Sequence, residues 1–254
     1  MIQDYLALAR DIAGEAGRLT LEYFQRGVGV ETKSDGTPVT EADRRAEELI
    51  RRRIEAECPG HGILGEEFGD DSADASHRWI IDPIDGTLAF SRGVPLYATL
   101  VALEVEGRVR IGVAEFPALG ETVWAAEGSG CFWNGRRCRV RETVSLAETI
   151  VAYTEPESFA KHGKDEAWRR VSEAVRYRVG WRDGYGHALV ATGRIEAMLD
   201  PVMSPWDCGP FAVILPQAGG YFGDWSGNES IYAGEAMSAA PGILPRLLEL
   251  TGGR

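Results

Sequence analysis

The chain is short of positive charge, histidine and cysteine. It carries 27 Lys and Arg against 39 Asp and Glu, a net charge of −12, so its surface repels a nucleic-acid backbone or an anionic membrane, both of which are held through basic patches. Neither kind of partner is expected. No stretch approaches the roughly 20 apolar residues of a membrane span, and Asp4, Arg10 and Asp11 stand where a signal peptide would be apolar. The expected location is the cytoplasm. Cys58, Cys131, Cys138 and Cys208 include no CxxC pair, which argues against a zinc site or a dense disulfide framework and leaves them as buried or idle thiols. His61, His77, His162 and His187 follow no catalytic or metal spacing and read as structural or solvated. No internal repeat or low-complexity segment is present.

What remains is a chain of 254 residues, 44% apolar, able to bury a full core as one large domain or two intimate ones. Its focus is Trp79-Ile80-Ile81-Asp82-Pro83-Ile84-Asp85-Gly86-Thr87. Residues 79–81 read as a strand covered on both faces, ended by Pro83. Asp82 and Asp85 then fall in a tight turn, close enough to share one or two hard cations, with the Ile84 carbonyl as an extra ligand. Gly86 lets backbone approach a ligand, and Thr87 places a hydroxyl where a helix could begin, a position whose free amides attract phosphate. The plain alternative is ordinary turn and cap chemistry.

Before this stretch, apolar residues from Ile2 to Phe24 recur at helical spacing and predict an amphipathic helix. A short strand over residues 28–33 leads to the polar turn Ser34-Asp35-Gly36-Thr37-Pro38. Thr40 caps a second helix, with Asp43 in its first turn and Ala46, Leu49, Ile50 and Ile54 as its inner stripe. Asp43 could be no more than favourable charge at a helix start. Gly62-Ile63-Leu64-Gly65-Glu66-Glu67-Phe68 predicts a strand ending in acids, and Glu66 becomes a third carboxylate if that strand lies beside residues 79–81. Beyond the focus, residues 97–105, 109–115, 121–126 and 128–133 predict antiparallel sheet.

The pattern changes between Asn134 and Val140, and from Ser145 short strands alternate with helices, among them 164–175 and 185–192. The expected division is an α+β half over residues 1–142 and an α/β half over 143–254, packed together without a flexible linker. In the second half a strand leads to Asp200, and Trp206-Asp207 opens a helix through residue 217. Asp207 is either an ordinary cap or a fourth carboxylate. Glu66, Asp82, Asp85 and Asp207 together could hold two or three Mg²⁺ ions for in-line phosphoryl displacement, with Thr87 and Asp43 orienting the water and the Gly86 and Thr87 amides holding phosphate.

These residues resemble the inositol monophosphatase superfamily of Mg²⁺-dependent phosphatases. The resemblance runs along nearly the whole chain, through GEEF at 65–68, WIIDPIDGT at 79–87, LVATG at 189–193, PWD at 205–207 and QAGG at 217–220. It implies a layered αβαβα sandwich, metal ligands at Glu66, Asp82, the Ile84 carbonyl, Asp85 and Asp207, a water-activating pair at Asp43 and Thr87, and commonly a homodimer. Within the superfamily the chain is most similar to the histidinol-phosphate phosphatases, through GTLAFSRGVPLYATL at 86–100, RDGYGHALVATG at 182–193 and DPVMSPWDC at 200–208. By that resemblance Asp183 and Asp200 face the leaving alcohol, where two carboxylates suit the ammonium and imidazole of histidinol phosphate; otherwise they are loop and strand-end structure. Leu88 departs from the polar residue expected there. The expected substrate is a small phosphorylated metabolite. Histidinol phosphate comes first, ahead of an inositol phosphate, a sugar bisphosphate or a nucleotide 3′-phosphate, and a non-catalytic binding protein of the same fold is the reading from another class.

Overall fold

The computed structural model describes residues 2–34, 36–71 and 74–252; Asp35 of the predicted polar turn lies outside them. Helix α1 (Ile2–Leu21) buries Leu6, Ala9, Ile12, Ala13 and Ala16, the stripe its spacing predicts. It stops three residues short of Phe24. Tyr23 and Phe24 leave the helix in a turn, and Phe24 packs instead on Phe90 and Tyr97. A small hairpin, β1 (Val30–Thr32) and β2 (Pro38–Thr40), runs into α2 (Glu41–Glu57).

An eight-stranded sheet follows: β3 (Gly62–Gly65), β4 (Gly69–Asp71), β5 (His77–Asp85), then, after the short helix α3 (Thr87–Ser91), β6 (Ala98–Val105), β7 (Arg108–Phe116), β8 (Glu121–Ala126), β9 (Gly130–Trp133) and β10 (Arg136–Cys138). Its spatial order is β10-β9-β8-β7-β6-β5-β3-β4. The pair β3 and β5 is parallel, with Gly65 beside Ile81, and the remaining pairs are antiparallel. Pro83 does not end the strand. β5 continues to Asp85, but its register with β6 slips between Asp82 and Asp85. A proline can sit in a strand at such a bulge, where no ladder hydrogen bond is asked of it, and a bulge re-aims the side chains around it.

The second sheet has the order β12-β11-β13-β15-β14. It is built from β11 (Ile150–Ala152), helices α4 (Pro156–Lys161) and α5 (Asp165–Ala174), β12 (Tyr177–Val179), α6 (Asp183–Ala191), β13 (Ala197–Asp200), α7 (Pro205–Cys208), α8 (Phe211–Gln217), β14 (Tyr221–Gly223), β15 (Ala236–Ala239) and α9 (Leu244–Gly252). Two helical boundaries differ from expectation. The helix expected at 185 begins at Asp183, and the one expected from Trp206 to Gln217 is two helices broken at Gly209-Pro210.

Alternation along the strands sorts the core into layers. Trp79, Ile81, Val101 and Leu103 face α1 and α2; Ile80, Leu100 and Ala102 face the other way, onto Ala188 and Ala191 of α6 and Phe211 and Ile214 of α8. Met198 meets that same helical layer from the second sheet, while Ala197 and Leu199 turn to Val171 of α5 and Leu247 of α9. The result is helix, sheet, helix, sheet, helix, the αβαβα sandwich.

Candidate active site

The end of β5, the loop after β3, the start of α6, the end of β13 and α7 converge on one cavity of about 920 Å³. Glu66, Asp82, Ile84, Asp85, Gly86, Thr87, Asp183, Asp200 and Asp207 line it. Carboxylate oxygens of Asp82, Asp85 and Asp207 fall within 4.8 Å of one another. Glu66 stands at the same cavity, but Lys33 Nζ takes its Oε1 at 2.8 Å and bonds Glu67 as well.

Each aspartate spends one oxygen on a backbone amide. Ile84 N donates to Asp82 Oδ1 (2.9 Å), Gly184 N to Asp85 Oδ2 (2.7 Å), Ser204 N to Asp207 Oδ2 (2.7 Å) and Thr40 N to Asp43 Oδ2 (2.8 Å). Asp43 and Asp207 are thus both the third-position acids of capping boxes at Thr40 and Ser204. The cap and the site are not rival explanations, because a carboxylate has two oxygens. The second oxygen of Asp43 takes the Thr87 hydroxyl (3.0 Å), which also lies 3.1 Å from the Ile84 carbonyl.

Crowding such groups out of water raises their proton affinity. Burial, then the neighbouring carboxylates, push Asp82 and Asp85 well above the ordinary carboxylate range, and burial pushes Asp207 to about 7 and Asp43 upward. An all-oxygen set of mutually repelling acids fits a hard divalent cation, whose charge removes the repulsion.

The glycines beside these acids are steric requirements. Gly86 has φ +84°, and a Cβ there would meet Leu96 O at 3.1 Å and Asp183 Oδ2 at 3.0 Å. Gly65 gives room to a residue that sequence reasoning missed. Glu47 of α2 is fully buried, and its carboxylate accepts Glu67 N (2.8 Å), Phe68 N (3.1 Å) and Arg51 Nε (2.8 Å), fixing the loop that presents Glu66. The signal was available as a repeat of polar residues at 43, 47 and 51 along one face of α2, which reads as a solvated face when no tertiary partner is known.

The sequence profile of the inositol monophosphatase family matches residues 1–251. The chain belongs to that family. It is 47% identical to the histidinol-phosphatase of Chlorobaculum parvum over 96% of this chain and 94% of the relative, and 30% identical to the inositol-1-monophosphatase of Mesorhizobium japonicum over 98% and 92%. Among solved structures, the Thermotoga maritima IMPase superposes with a TM-score of 0.90 at 30% identity, covering 98% of this chain and 97% of that one. In this family member Arg182, Asp183 and Asp200 also line the cavity. Arg182 Nε bonds Asp183 Oδ2 at 2.7 Å. Asp200, 2% exposed, has its Oδ2 3.4 Å from His187 Nε2 but not aligned with it, and among the described residues that oxygen has no hydrogen-bond partner. Leu88 is 38% exposed at the cavity. Among the described residues, no helix is long and apolar enough to cross a membrane.

Proposed function

We propose that this phosphomonoester hydrolase of the inositol monophosphatase family acts on histidinol phosphate, with Glu66, Asp82, the Ile84 carbonyl, Asp85 and Asp207 as ligands for two or three Mg²⁺ ions. The observation that carries the substrate is the pair of carboxylates, Asp183 and Asp200, on the wall of the same cavity as the acid cluster. Two carboxylates there suit the ammonium or imidazole of histidinol phosphate better than a neutral polyol, because hydrogen bonds between opposite charges are the stronger ones. The identity to the Chlorobaculum histidinol-phosphatase supports the same choice.

Bound cations would supply Lewis acidity to the phosphate and its attacking water. The chain's own groups do the rest. Thr87 Oγ1, bonded to Asp43 Oδ1, accepts a hydrogen bond from the water and passes its proton to Asp43, whose burial raises its readiness to take one. The amides of Gly86 and Thr87 hold phosphate oxygens, while Asp183 and Asp200 orient the departing alcohol. The protein would work in the cytoplasm as a homodimer.

Phosphate release with Mg²⁺ from histidinol phosphate, inositol 1-phosphate, fructose 1,6-bisphosphate and adenosine 3′,5′-bisphosphate, each repeated with EDTA, tests this reading. A preference for histidinol phosphate of about a hundredfold in kcat/KM, roughly 2.7 kcal/mol of differential binding, is the expected result. Preference for another ester discards the substrate and keeps the class. In the same panel Asp183→Asn should raise KM for the cationic ester more than for a neutral one, and equal effects would remove its recognition role.

A further inference from the structure

The four thiols are not equivalent. Cys58, at the end of α2, and Cys208, in α7, are buried, and burial pushes both upward in pKa. Cys131 and Cys138 face each other across the β9–β10 hairpin, directly paired in register. Asn134 and Gly135, with φ of +47° and +78°, make the two-residue turn that fixes this register. The two Sγ atoms are 3.3 Å apart. Directly opposed residues of an antiparallel pair have Cα atoms about 4.5–5.5 Å apart, inside the span a disulfide takes. The direct register and the close sulfurs therefore place the two residues within the reach of a disulfide.

The surroundings also set the roles of the two sulfurs. Cys131 is 1% exposed, whereas Cys138 is half-buried on the edge strand β10. Arg194 lies near it, its guanidinium 4.5 Å over the Trp133 ring and paired with Glu121. The hydrogen bond shared with Cys131 holds the Cys138 thiol below its usual range, and the positive charge of Arg194 acts in the same direction; the Cys131 thiol is pushed up. Cys138 is the sulfur that reaches the nucleophilic thiolate form most readily.

We propose that Cys131 and Cys138 form a peroxide-sensitive dithiol, a modification site separate from the phosphatase cavity that closes reversibly into a disulfide across the hairpin. The Cys138 thiolate attacks one oxygen of hydrogen peroxide, the O–O bond breaks, and the departing hydroxide takes up a proton as water, leaving a sulfenic acid on Cys138. The Cys131 sulfur then attacks the Cys138 sulfur, its proton leaving with the hydroxyl as a second water. Two thiols are oxidised to one disulfide while one peroxide is reduced to two waters.

The test is to expose the reduced, full-length protein to hydrogen peroxide, block residual thiols, and read the intact mass and a tryptic map without reductant. The expected result is loss of the mass of two hydrogens, a fall from four free thiols to two, and a cross-link joining the peptide that ends at Arg136 to the fragment released by cleavage at Arg137 and Arg139. Dithiothreitol should restore all four. Cys58→Ser should leave the cross-link intact and Cys138→Ser should abolish it; if a variant does not fold, the wild-type map still names the bonded pair. A map with no cross-link, one through Cys58 or Cys208, or oxygen gained on Cys138 without a bond to Cys131 would each overturn the proposal.

Discussion

A carboxylate in this site is positioned by one oxygen and leaves the other for chemistry, so the residues that hold the first oxygen matter as much as the acids. Gly184 shows this most sharply. A Cβ at this position would lie 2.7 Å from Asp85 Oδ2 and 3.2 Å from the Phe211 ring, so Gly184→Ala must displace Asp85. We expect kcat/KM to fall by about a hundredfold, the scale of a 1 Å misplacement, together with a higher Mg²⁺ requirement; phosphate release titrated with Mg²⁺ measures both. Asp85→Asn keeps an acceptor for the Gly184 amide and removes only the charge. That variant should fold normally by circular dichroism and lose turnover to background, and near-normal activity would remove Asp85 from the metal ligands. Asp183 is a further residue-scale case: its φ of +53° at the head of α6 is one that Asp tolerates better than most residues.

At the scale of the element, α2 carries two stripes. Ala46, Ile50 and Ile54 bury against the sheet, as their spacing requires, and beside them Asp43, Glu47 and Arg51 form a buried polar row that reaches from the Thr87 hydroxyl to the loop bearing Glu66. Glu47→Ala leaves two amides without their acceptor and takes from the Arg51 guanidinium the partner of its Nε, while Asp71 and the Gly69 carbonyl keep the rest of it. The expected cost is about 3 kcal/mol, because removing one partner of a buried pair strands the other, and urea denaturation followed by fluorescence should show it as a lower midpoint at unchanged slope. Unchanged stability would mean that water replaces Glu47 without penalty. β5 carries the second lesson at this scale. Pro83 looked like a stop because proline cannot join a ladder, yet the bulge exempts this position from pairing and turns it into the bend that aims Asp82 and Asp85.

Across the whole molecule, the buried Asp82 and Asp85 of β5 and the half-buried Asp207 of α7 oppose one another when no cation is bound. Their folded-state pKa values lie above the unfolded value near 3.8, with Asp207 reaching about 7. The folded protein therefore holds more protons than the unfolded chain between these limits, and stability falls as pH rises through that window. Metal-free protein should lose several degrees of Tm between about pH 5 and pH 8, at roughly 2–4 °C per kcal/mol for a chain of this size. Mg²⁺ should restore more of it at the higher pH, where the acids are ionised and bind it. Calorimetry with EDTA and with Mg²⁺ at both pH values checks the sign. A metal-free Tm that rises with pH would show that the acids are not crowded as described.

The motifs were legible in the sequence because they are local: the apolar run before Asp82, the cap at Thr40, the helical stripes of α1 and α2, and the alternation that separates Ile80 from Trp79 and Ile81 all follow from short-range backbone geometry, whereas the cap at Ser204 was expected at Asp207 itself. The spaced set of acids was enough to suggest the family and its layered fold. The resemblance also implied that Asp207 joins Asp82 and Asp85 and that Asp43 pairs with Thr87, but most other meetings of distant segments were not legible. Glu47 under Gly65, Gly184 on Asp85, Lys33 on Glu66, Arg182 on Asp183 and the partnerless oxygen of Asp200 are decided by packing, since a polar side chain reads the same in sequence whether it ends in water or against a buried amide. The tertiary structure brings those ends together, and the cost of leaving them unpaired holds them in place.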